Sequence, residues 1–440
     1  MLNETASSRE DRPQLQAVPA VLPGTEKVQD DLRLLVAGVM EIKREAVLEN
    51  PDEVTEDRAL LFMGMPGRLI GSFQGNLLLD SETAYARLDA LLKPRNLLPI
   101  FRPAKAEPGE LLTSTGHHTI HVIRGRAHPK RRAWWPNLVL FLLTAVSVLL
   151  VGTELALNQM VDRVQIQAIL ENLPLELWRG LPYAISILLI LGAHELGHYF
   201  AARRHKLAVT LPYFIPLPFI SPFGTMGAFI QLREPMRNRK VLLDVGMAGP
   251  LAGLIFAVPI LFIGLAHTNI IPISHLGGIY EGDSILYATA KILTFGRFLP
   301  DGWMDVCIDC NQMAWAGWTG LLITALNLIP VGQLDGGHIL YSLIGERARK
   351  LYYPAIGIMI GLALITQVWL LWVFLMLLFG RIYATPLDMI TPLDNRRRWL
   401  AVISLVIFVL IFIPTPFSQT LQPAATPIPG RDSVFLMPFK

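Results

Sequence analysis

Long apolar runs alternate with short polar stretches from residue 137 onwards, and this pattern predicts several helices that cross a membrane. A helix needs about 20 mostly apolar residues to span the hydrocarbon core. Such runs lie at 137–153, 181–202, 243–265, 313–330, 351–380 and 399–413. The predicted fold class is therefore a polytopic α-helical membrane protein, with a small soluble α+β domain before the first run.

The run at 351–380 has two interpretations. One long helix would place Arg396-Arg397-Arg398 outside, against the tendency of basic residues to remain on the cytoplasmic side. A hairpin broken near Thr366-Gln367 keeps these arginines inside, although each arm is then short for a full crossing. We favour the hairpin. Basic stretches at 124–132 and 203–206 further predict an integral, multi-pass protein whose N-terminal domain faces the cytoplasm.

The residues before the first apolar run have the composition of a soluble domain. Their periodicity predicts helices at 31–47 and 81–92, and strands at 68–75, 97–101 and 119–123. A small sheet covered by helices on one face accommodates this order. The predicted organisation is a disordered leader at 1–28, a soluble α+β domain at 29–125, a membrane-embedded domain at 126–415 and a disordered tail at 416–440.

Composition supports this assignment. The chain is 52% hydrophobic and 17% charged, with a mean hydropathy of +0.44, which lies outside the usual range of soluble proteins. Its net charge of +3 carries little information, because the basic residues cluster beside apolar runs. We expect contact with the lipid bilayer and no nucleic-acid partner. The only cysteines, Cys307 and Cys310, precede the run at 313–330 and would form either a redox pair or part of a metal site.

The second apolar run contains His194-Glu195-Leu196-Gly197-His198. On a helix this spacing puts two imidazoles on one face, one turn apart, so that both bind one zinc ion while the glutamate reaches the water on the metal. Ionisable residues at membrane depth are costly and usually functional. The alternative is a pair of helix histidines that hydrogen-bond to main chain or water.

A zinc site for hydrolysis needs a third protein ligand and an open fourth position. The candidate is Asp335, which follows the run at 313–330 in a stretch interrupted by Pro330 and several glycines. Irregular backbone at membrane depth is tolerated where it is buried or lines a wet cavity. Asp335 would otherwise only cap a helix. Asn327 would either donate a hydrogen bond to an oxyanion or bond between helices.

These motifs together resemble the site-2 protease family of intramembrane zinc metalloproteases. The resemblance rests on His194 to His198, on Asn327-x-x-Pro330 followed by Leu334-Asp335-Gly336, and on Gly249-Pro250. The segment from Gly224 to Lys240 is similar to the branch of cyanobacteria and chloroplasts that has no inserted PDZ domain. The resemblance implies Zn²⁺ as cofactor, metal ligands His194, His198 and Asp335, Glu195 as general base, and transmembrane protein substrates.

The implied reaction is regulated intramembrane proteolysis, in which Glu195 takes the proton of a zinc-activated water that attacks a peptide carbonyl. A substrate helix must unwind first, because its carbonyls are hydrogen-bonded. Prolines and glycines between 212 and 227 predict an irregular segment, either a re-entrant hairpin that pairs with extended substrate or an ordinary loop. Competing functions are a metal-binding membrane transporter, which usually has duplicated broken helices, and a catalytically silent scaffold, against which the intact Glu195 argues.

Overall fold

The computed structural model describes residues 25–46, 68–104, 118–129, 132–158, 173–273 and 279–419. The leader predicted at 1–28 lies outside the described residues up to residue 24, and the predicted tail does so from residue 420 onwards.

The N-terminal region, of which residues 25–46, 68–104 and 118–124 are described, contains a four-stranded antiparallel sheet in the order β1-β2-β4-β3. Two helices cover one face of it and share a single apolar core with the strands, in which Phe73, Tyr85 and Phe101 are buried. The elements are α1 (Thr25–Ala37), β1 (Met40–Ala46), β2 (Arg68–Leu77), α2 (Ser81–Leu92), β3 (Leu97–Pro103) and β4 (His118–Arg124). This α+β arrangement agrees with the predicted sheet and its one-sided helices.

The first predicted helix is wrong in its second half. A single helix was expected over 31–47, whereas α1 begins earlier, at Thr25, and ends at Ala37. Residues Met40–Ala46 instead form β1, which pairs antiparallel with β2. The apolar positions Met40 and Ile42 are compatible with a strand as well as with a helix, and the pairing with a strand far along the chain decides between them.

The remaining described chain is mostly helical. Four of its helical segments are long and apolar enough to cross a membrane: Trp135–Leu157, Leu177–Arg204, Arg239–Ala266 and Asp335–Ile365. Apart from the one-turn helix Leu173–Glu176 and short 3-10 turns, the order is α3 (Trp135–Asn158), α4 (Leu181–Arg204), β5 (Tyr213–Pro216), β6 (Thr225–Phe229), α5 (Arg239–Ala266), β7 (Ile270–Pro272), β8 (Ile279–Glu281), α6 (Ile285–Phe295), β9 (Met304–Val306), α7 (Gln312–Asn327), α8 (Asp335–Ile344), α9 (Tyr352–Ile365), α10 (Leu370–Phe379), α11 (Asn395–Ile411) and β10 (Phe417–Gln419).

The span predicted at 313–330 is shorter than expected. Helix α7 has 16 residues and ends at Asn327, so it is about 24 Å long, less than the hydrocarbon core of about 30 Å. It is enclosed by protein, with Trp318 and Leu321 fully buried between α4 and α5. The helix therefore ends inside the molecule, where the chain turns towards α8.

Helices α9 and α10 form an antiparallel hairpin. The helix breaks at Thr366, whose backbone is extended (φ −141°, ψ 127°). The guanidinium of Arg381, just after α10, lies 5.2 Å from the ring centroid of Tyr352, the first residue of α9. The two ends of one continuous helix would be about 40 Å apart, so this contact confirms the hairpin interpretation of 351–380.

The N-terminal region is joined to the helical region by main-chain pairing. The amide of Phe101 in β3 donates to the carbonyl of Leu387 (2.9 Å), and the amide of Met389 donates to the carbonyl of Phe101 (3.1 Å). The same segment bridges to Asn238, just before α5. The segment 387–389 thereby links β3 of the N-terminal sheet to the chain just before α5.

The opposite end of α5 leads to a small layer of short strands, in which β7 pairs with β9 and β8 with β10. Strand β10 begins at Phe417, so the disordered tail predicted from 416 begins too early. Cys307 and Cys310 are joined by a disulfide bond here. Burial and the nearby Asp305 carboxylate raise the pKa of Glu281 to about 8, while its side chain accepts a hydrogen bond from Tyr287 (3.1 Å).

Candidate metal centre

Helix α4 carries both histidines of the HExxH motif on its buried face. His194 and His198 are one turn apart and their ring centroids are 4.9 Å apart. Leu191 and Ala202 on the same helix are also buried. The helix is apolar up to this point, and the pair lies on the side of α4 that packs against α5 and α7.

A sharp turn between α7 and α8 brings Asp335 to the histidines. The turn includes Gly332, which has a positive φ of 61°. The first turn of α8 packs so tightly against it that a Cβ on Gly336 would lie 1.9 Å from the carbonyl oxygen of Leu328. Asp335 is the first residue of α8, where a carboxylate interacts favourably with the helix dipole.

The three side chains form a nearly equilateral triangle of ligand atoms. Asp335 Oδ2 lies 3.3 Å from His194 Nε2 and 3.2 Å from His198 Nε2, and the two nitrogens are 3.2 Å apart. A tetrahedral zinc ion with bonds of about 2.0–2.1 Å holds its ligand atoms about 3.3 Å apart. The donor set and its spacing therefore fit three corners of a zinc tetrahedron, with the fourth left for water.

The orientation of His198 is set by helix α5. Its Nδ1 lies 2.7 Å from the carbonyl oxygen of Val245, an acceptor only, so Nδ1 carries the proton and Nε2 presents a lone pair. Such contacts to the second ring nitrogen orient histidine ligands in metal sites. The ring also lies against Gly249, where a Cβ would be only 2.0 Å from His198 Nε2. This close approach gives Gly249 a direct role in the geometry of the centre.

Glu195 and Asn327 line the same cavity as the three candidate ligands. The cavity has a volume of about 770 Å³ and contains the whole predicted site: His194, Glu195, His198, Asn327 and Asp335. Glu195 is 6% exposed, and the main chain of Ile230 lies within hydrogen-bonding reach of its carboxylate. The structure thus brings together residues that are up to 141 positions apart, Asp335 and His194.

The segment after α4 contains a β-hairpin, and its re-entry into the membrane stays a prediction. Strand β5 pairs antiparallel with β6, with Phe214 opposite Ala228. The chain continues from β6 along one wall of the cavity, through Ile230 and Leu232. Main chain with an extended conformation therefore lies next to Glu195, and its pairing with substrate remains a prediction.

The cavity also contains residues that the sequence interpretation missed. His338 lies one turn after Asp335 on α8 and faces the same cavity. Its spacing from Asp335, three residues along a helix, would have predicted that the two side chains lie on the same helix face. The segment Gly125–Pro129 lines the cavity too. From the sequence it was used only as a basic stretch that indicates the cytoplasmic side of the membrane. No local pattern indicates that contact, because it depends on how the N-terminal region docks.

Comparisons with known proteins match the part of the chain that contains this site. Residues 182–368 match the profile of Peptidase family M50, a range that includes all five predicted site residues. The chain is 34% identical over 249 residues to "Probable zinc metalloprotease EGY2, chloroplastic" of Arabidopsis thaliana, covering 55% of this chain and 43% of that protein. No solved structure showed a significant match.

Two further relatives carry similar names. "Probable zinc metalloprotease EGY2, chloroplastic" of Oryza sativa subsp. indica is 31% identical over 283 residues, covering 63% of this chain and 50% of that protein. "Probable zinc metalloprotease EGY1, chloroplastic" of Arabidopsis thaliana is 30% identical over 244 residues, covering 53% and 43%. The chain spans about half the length of the curated relatives it matches. The predicted resemblance to the site-2 protease family is confirmed, and the family that residues 182–368 match is Peptidase family M50.

Proposed function

We propose that this protein is an intramembrane zinc metalloprotease that hydrolyses peptide bonds within transmembrane segments of other proteins. The observation that carries the proposal is the triangle of His194, His198 and Asp335, whose edges of 3.2–3.3 Å match a tetrahedral zinc site. The helix that holds the histidines is long and apolar enough to cross a membrane. The names of the matched relatives support the same activity.

In this proposal the protein residues have distinct tasks. His194, His198 and Asp335 would hold the zinc ion, which would supply Lewis-acid chemistry to a water and to the substrate carbonyl. Glu195 takes a proton from the attacking water and passes it to the leaving amide nitrogen as the C–N bond breaks. The side-chain amide of Asn327 donates a hydrogen bond to the developing oxyanion. The buried position of Glu195 keeps bulk water away from this proton transfer.

The organisation around the site is part of the same proposal. Residues 29–125 act as a soluble domain on the cytoplasmic side, and residues 126–415 form the membrane-embedded protease domain. The basic residues at 203–206 and 396–398 support this orientation. They lie at the ends of α4 and α11 nearest the N-terminal region, which contacts the segments before α5 and α11.

The substitution Glu195→Gln tests the proposal, because it preserves size and hydrogen bonding but cannot accept a proton. We expect the purified variant to retain about one zinc per chain and to cleave a detergent-solubilised transmembrane reporter about 10²- to 10⁴-fold more slowly. Glu346→Gln is the matched control, since that side chain is 52% exposed and lies outside the cavity. Cleavage at the wild-type rate by Glu195→Gln would refute the assigned mechanism. Loss of zinc from this variant would contradict the assignment of Glu195 to proton transfer rather than to metal binding.

A further inference from the structure

The short segment that contains the disulfide bond lies where one end of each of three helices meets. We call residues 307–312 the junction segment; it follows β9 and leads directly into α7. The amide of Cys307 donates to the carbonyl of Asn269 (2.9 Å), and the hydroxyl of Thr268 donates to the carbonyl of Cys307 (2.7 Å). Both partners follow directly after α5. The junction segment is therefore anchored to the chain at the C-terminal end of that helix.

The other half of the junction segment holds the starts of α7 and α4. Asn311 caps α7, because its side-chain oxygen accepts a hydrogen bond from the amide of Ala314 (3.1 Å). Gln312 reaches across to α4. Its Oε1 accepts from the amide of Tyr183 (3.1 Å), and its Nε2 donates to the carbonyl of Arg179 (2.9 Å), just before that helix. One short piece of chain thus connects α4, α5 and α7.

The same three helices build the metal centre several turns away. Helix α4 carries the HExxH motif, α5 supplies the carbonyl of Val245 that contacts His198, and α7 ends at Asn327. Close to the junction segment, α5 and α7 are in backbone contact, since a Cβ on Gly264 would lie 2.1 Å from the amide nitrogen of Ala314. Closely packed interiors transmit strain. A change in the junction segment therefore displaces helices that position the metal centre.

The disulfide bond closes one turn within the junction segment. Cys307 is fully buried, whereas Cys310 is partly exposed, so a reductant approaches the bond from the side of Cys310. Asp309 Oδ1 lies 3.3 Å from Cys307 Sγ, which places a hydrogen-bond acceptor next to the thiol that reduction creates. A ring this short removes less chain entropy than a long loop does, whereas Cys-x-x-Cys is the spacing of thiol–disulfide exchange.

We propose that Cys307 and Cys310 form a thiol–disulfide exchange site for a dithiol protein, and that reduction of the bond slows proteolysis. A thiolate of the partner attacks the sulfur of Cys310, the S–S bond breaks, and Cys307 leaves as a thiolate that takes up a proton. The partner's second thiol loses its proton and attacks the mixed disulfide, which releases Cys310 to be protonated in turn. The chain gains two electrons and two protons, and the partner's dithiol becomes a disulfide.

Reduction removes the covalent link between the half of the junction segment bound to α5 and the half that caps α7. In the orientation proposed above, this segment lies on the side of the membrane opposite the N-terminal region, because α4 runs from here to its basic end. Compartments outside the cytoplasm favour disulfide formation, so the oxidised, active state is the resting one. The slowing of proteolysis rests on the proposed function, whereas the exchange reaction does not.

The test compares oxidised wild-type protein with the same protein after treatment with reduced thioredoxin, both folded in neutral detergent. Thiols are counted by alkylation with a mass tag, zinc by metal analysis, and cleavage with the transmembrane reporter. We expect both cysteines to become reactive, about one zinc to remain, and cleavage to be about 5- to 20-fold slower, a usual size for coupling between distant sites. Amide hydrogen exchange should become faster at the starts of α4 and α7, and reoxidation should restore both properties.

Three variants complete the test. The double variant Cys307→Ala/Cys310→Ala should cleave slowly with and without thioredoxin, which separates the bond from any action of the reductant on zinc. Gln312→Ala removes the link to α4 but keeps the bond, so it should slow cleavage by the oxidised protein. Thr289→Ala is the matched control for Gln312→Ala, because its exposed hydroxyl bonds within α6, and it should cleave at the wild-type rate.

A bond that thioredoxin reduces only after denaturation would overturn the exchange site. In a protein that cleaves when oxidised, unchanged cleavage after complete reduction would overturn the control of proteolysis. Equal slowing of wild type and the double variant by the reductant would overturn it too, in favour of zinc removal. Reduction with faster hydrogen exchange, but no cleavage by the oxidised wild type, would support the exchange site and refute the proposed protease activity.

Discussion

Replacement of Gly249 by alanine should weaken zinc binding through a single added methyl group. A Cβ at this position would lie 2.0 Å from His198 Nε2, 2.3 Å from Cδ2 and 2.5 Å from Cε1. Ordinary contacts between such atoms are about 3.5–4.0 Å, so the imidazole must move by about 1.0–1.5 Å. Movement of that size breaks the 2.7 Å contact with the Val245 carbonyl and the 3.2 Å spacing from Asp335.

The expected loss is about 10- to 100-fold in zinc affinity, the usual effect of disturbing a contact that orients a ligand. Overpacking should in addition lower the free energy of unfolding by about 1–3 kcal/mol. Helix propensity predicts the opposite sign, because alanine in a helix is more favourable than glycine by about 1 kcal/mol. The direction of the change therefore distinguishes the contact with His198 from a general backbone effect.

Two other glycines provide a graded control series. Gly192 lies on the same helix as His198 and a Cβ there meets nothing within 4 Å, whereas a Cβ on Gly253 lies 3.3 Å from the Cβ and Nδ1 of His194. Zinc affinity, measured by competition with a chelator in detergent, should be unchanged in Gly192→Ala, slightly lower in Gly253→Ala and lowest in Gly249→Ala. Thermal denaturation of the zinc-free variants separates loss of fold from loss of metal. Equal zinc affinity in Gly249→Ala and Gly192→Ala would refute the reasoning.

Four further outcomes are expected. Asp335→Ala should lose its zinc by metal analysis, because two histidines alone are one short of the three protein ligands that a catalytic zinc site uses. Asn327→Ala should retain zinc and lower kcat by about 10²-fold in the reporter assay. Folding raises the pKa of Glu281 from 4.5 to about 8, so between these pH values the folded state holds a proton that the unfolded state has lost. Thermal stability should therefore fall as the pH rises from 5 to 8. Glu281→Gln should make thermal stability less dependent on pH over this range. A cysteine at position 398 should react with impermeant reagents only from the side of the N-terminal region.

Each of these has an outcome that contradicts it. Full zinc content in Asp335→Ala would exclude that carboxylate as a ligand, and zinc loss in Asn327→Ala would assign Asn327 a structural task instead. A stability profile of Glu281→Gln identical to wild type would place the relevant proton elsewhere. Labelling at position 398 from the opposite side would contradict the orientation proposed for α11.

Some features of this protein follow from the sequence because they depend on local spacing. The two histidines four residues apart lie on one helix face wherever that helix packs, since 3.6 residues make a turn. The apolar runs around 135–158, 181–204 and 239–266 were predicted within a few residues because each is long and uniform. Asp335 was also a candidate from the sequence, because Pro330 and Gly332 mark an interruption between two helical stretches.

Other features depend on contacts between distant parts of the chain. Residues 40–46 form a strand that pairs with β2. Their own sequence is compatible with a helix or a strand, so the pairing with β2 decides between the two. Helix α7 ends at Asn327, three residues before Pro330, and α8 packs against the carbonyl of Leu328 just after that end. The strand at 417–419 exists only through its pairing with residues 279–281.

The metal centre shows the same division. Sequence spacing determined which side chains were candidates and that two of them share a face, because helical periodicity acts over a single turn. Only the tertiary structure decided the 3.2–3.3 Å triangle, the contact of His198 with Val245 and Gly249, and the wall formed by residues 125–129. These depend on how α5, α8 and the N-terminal region pack against α4, and packing between distant segments leaves no periodic trace in the chain.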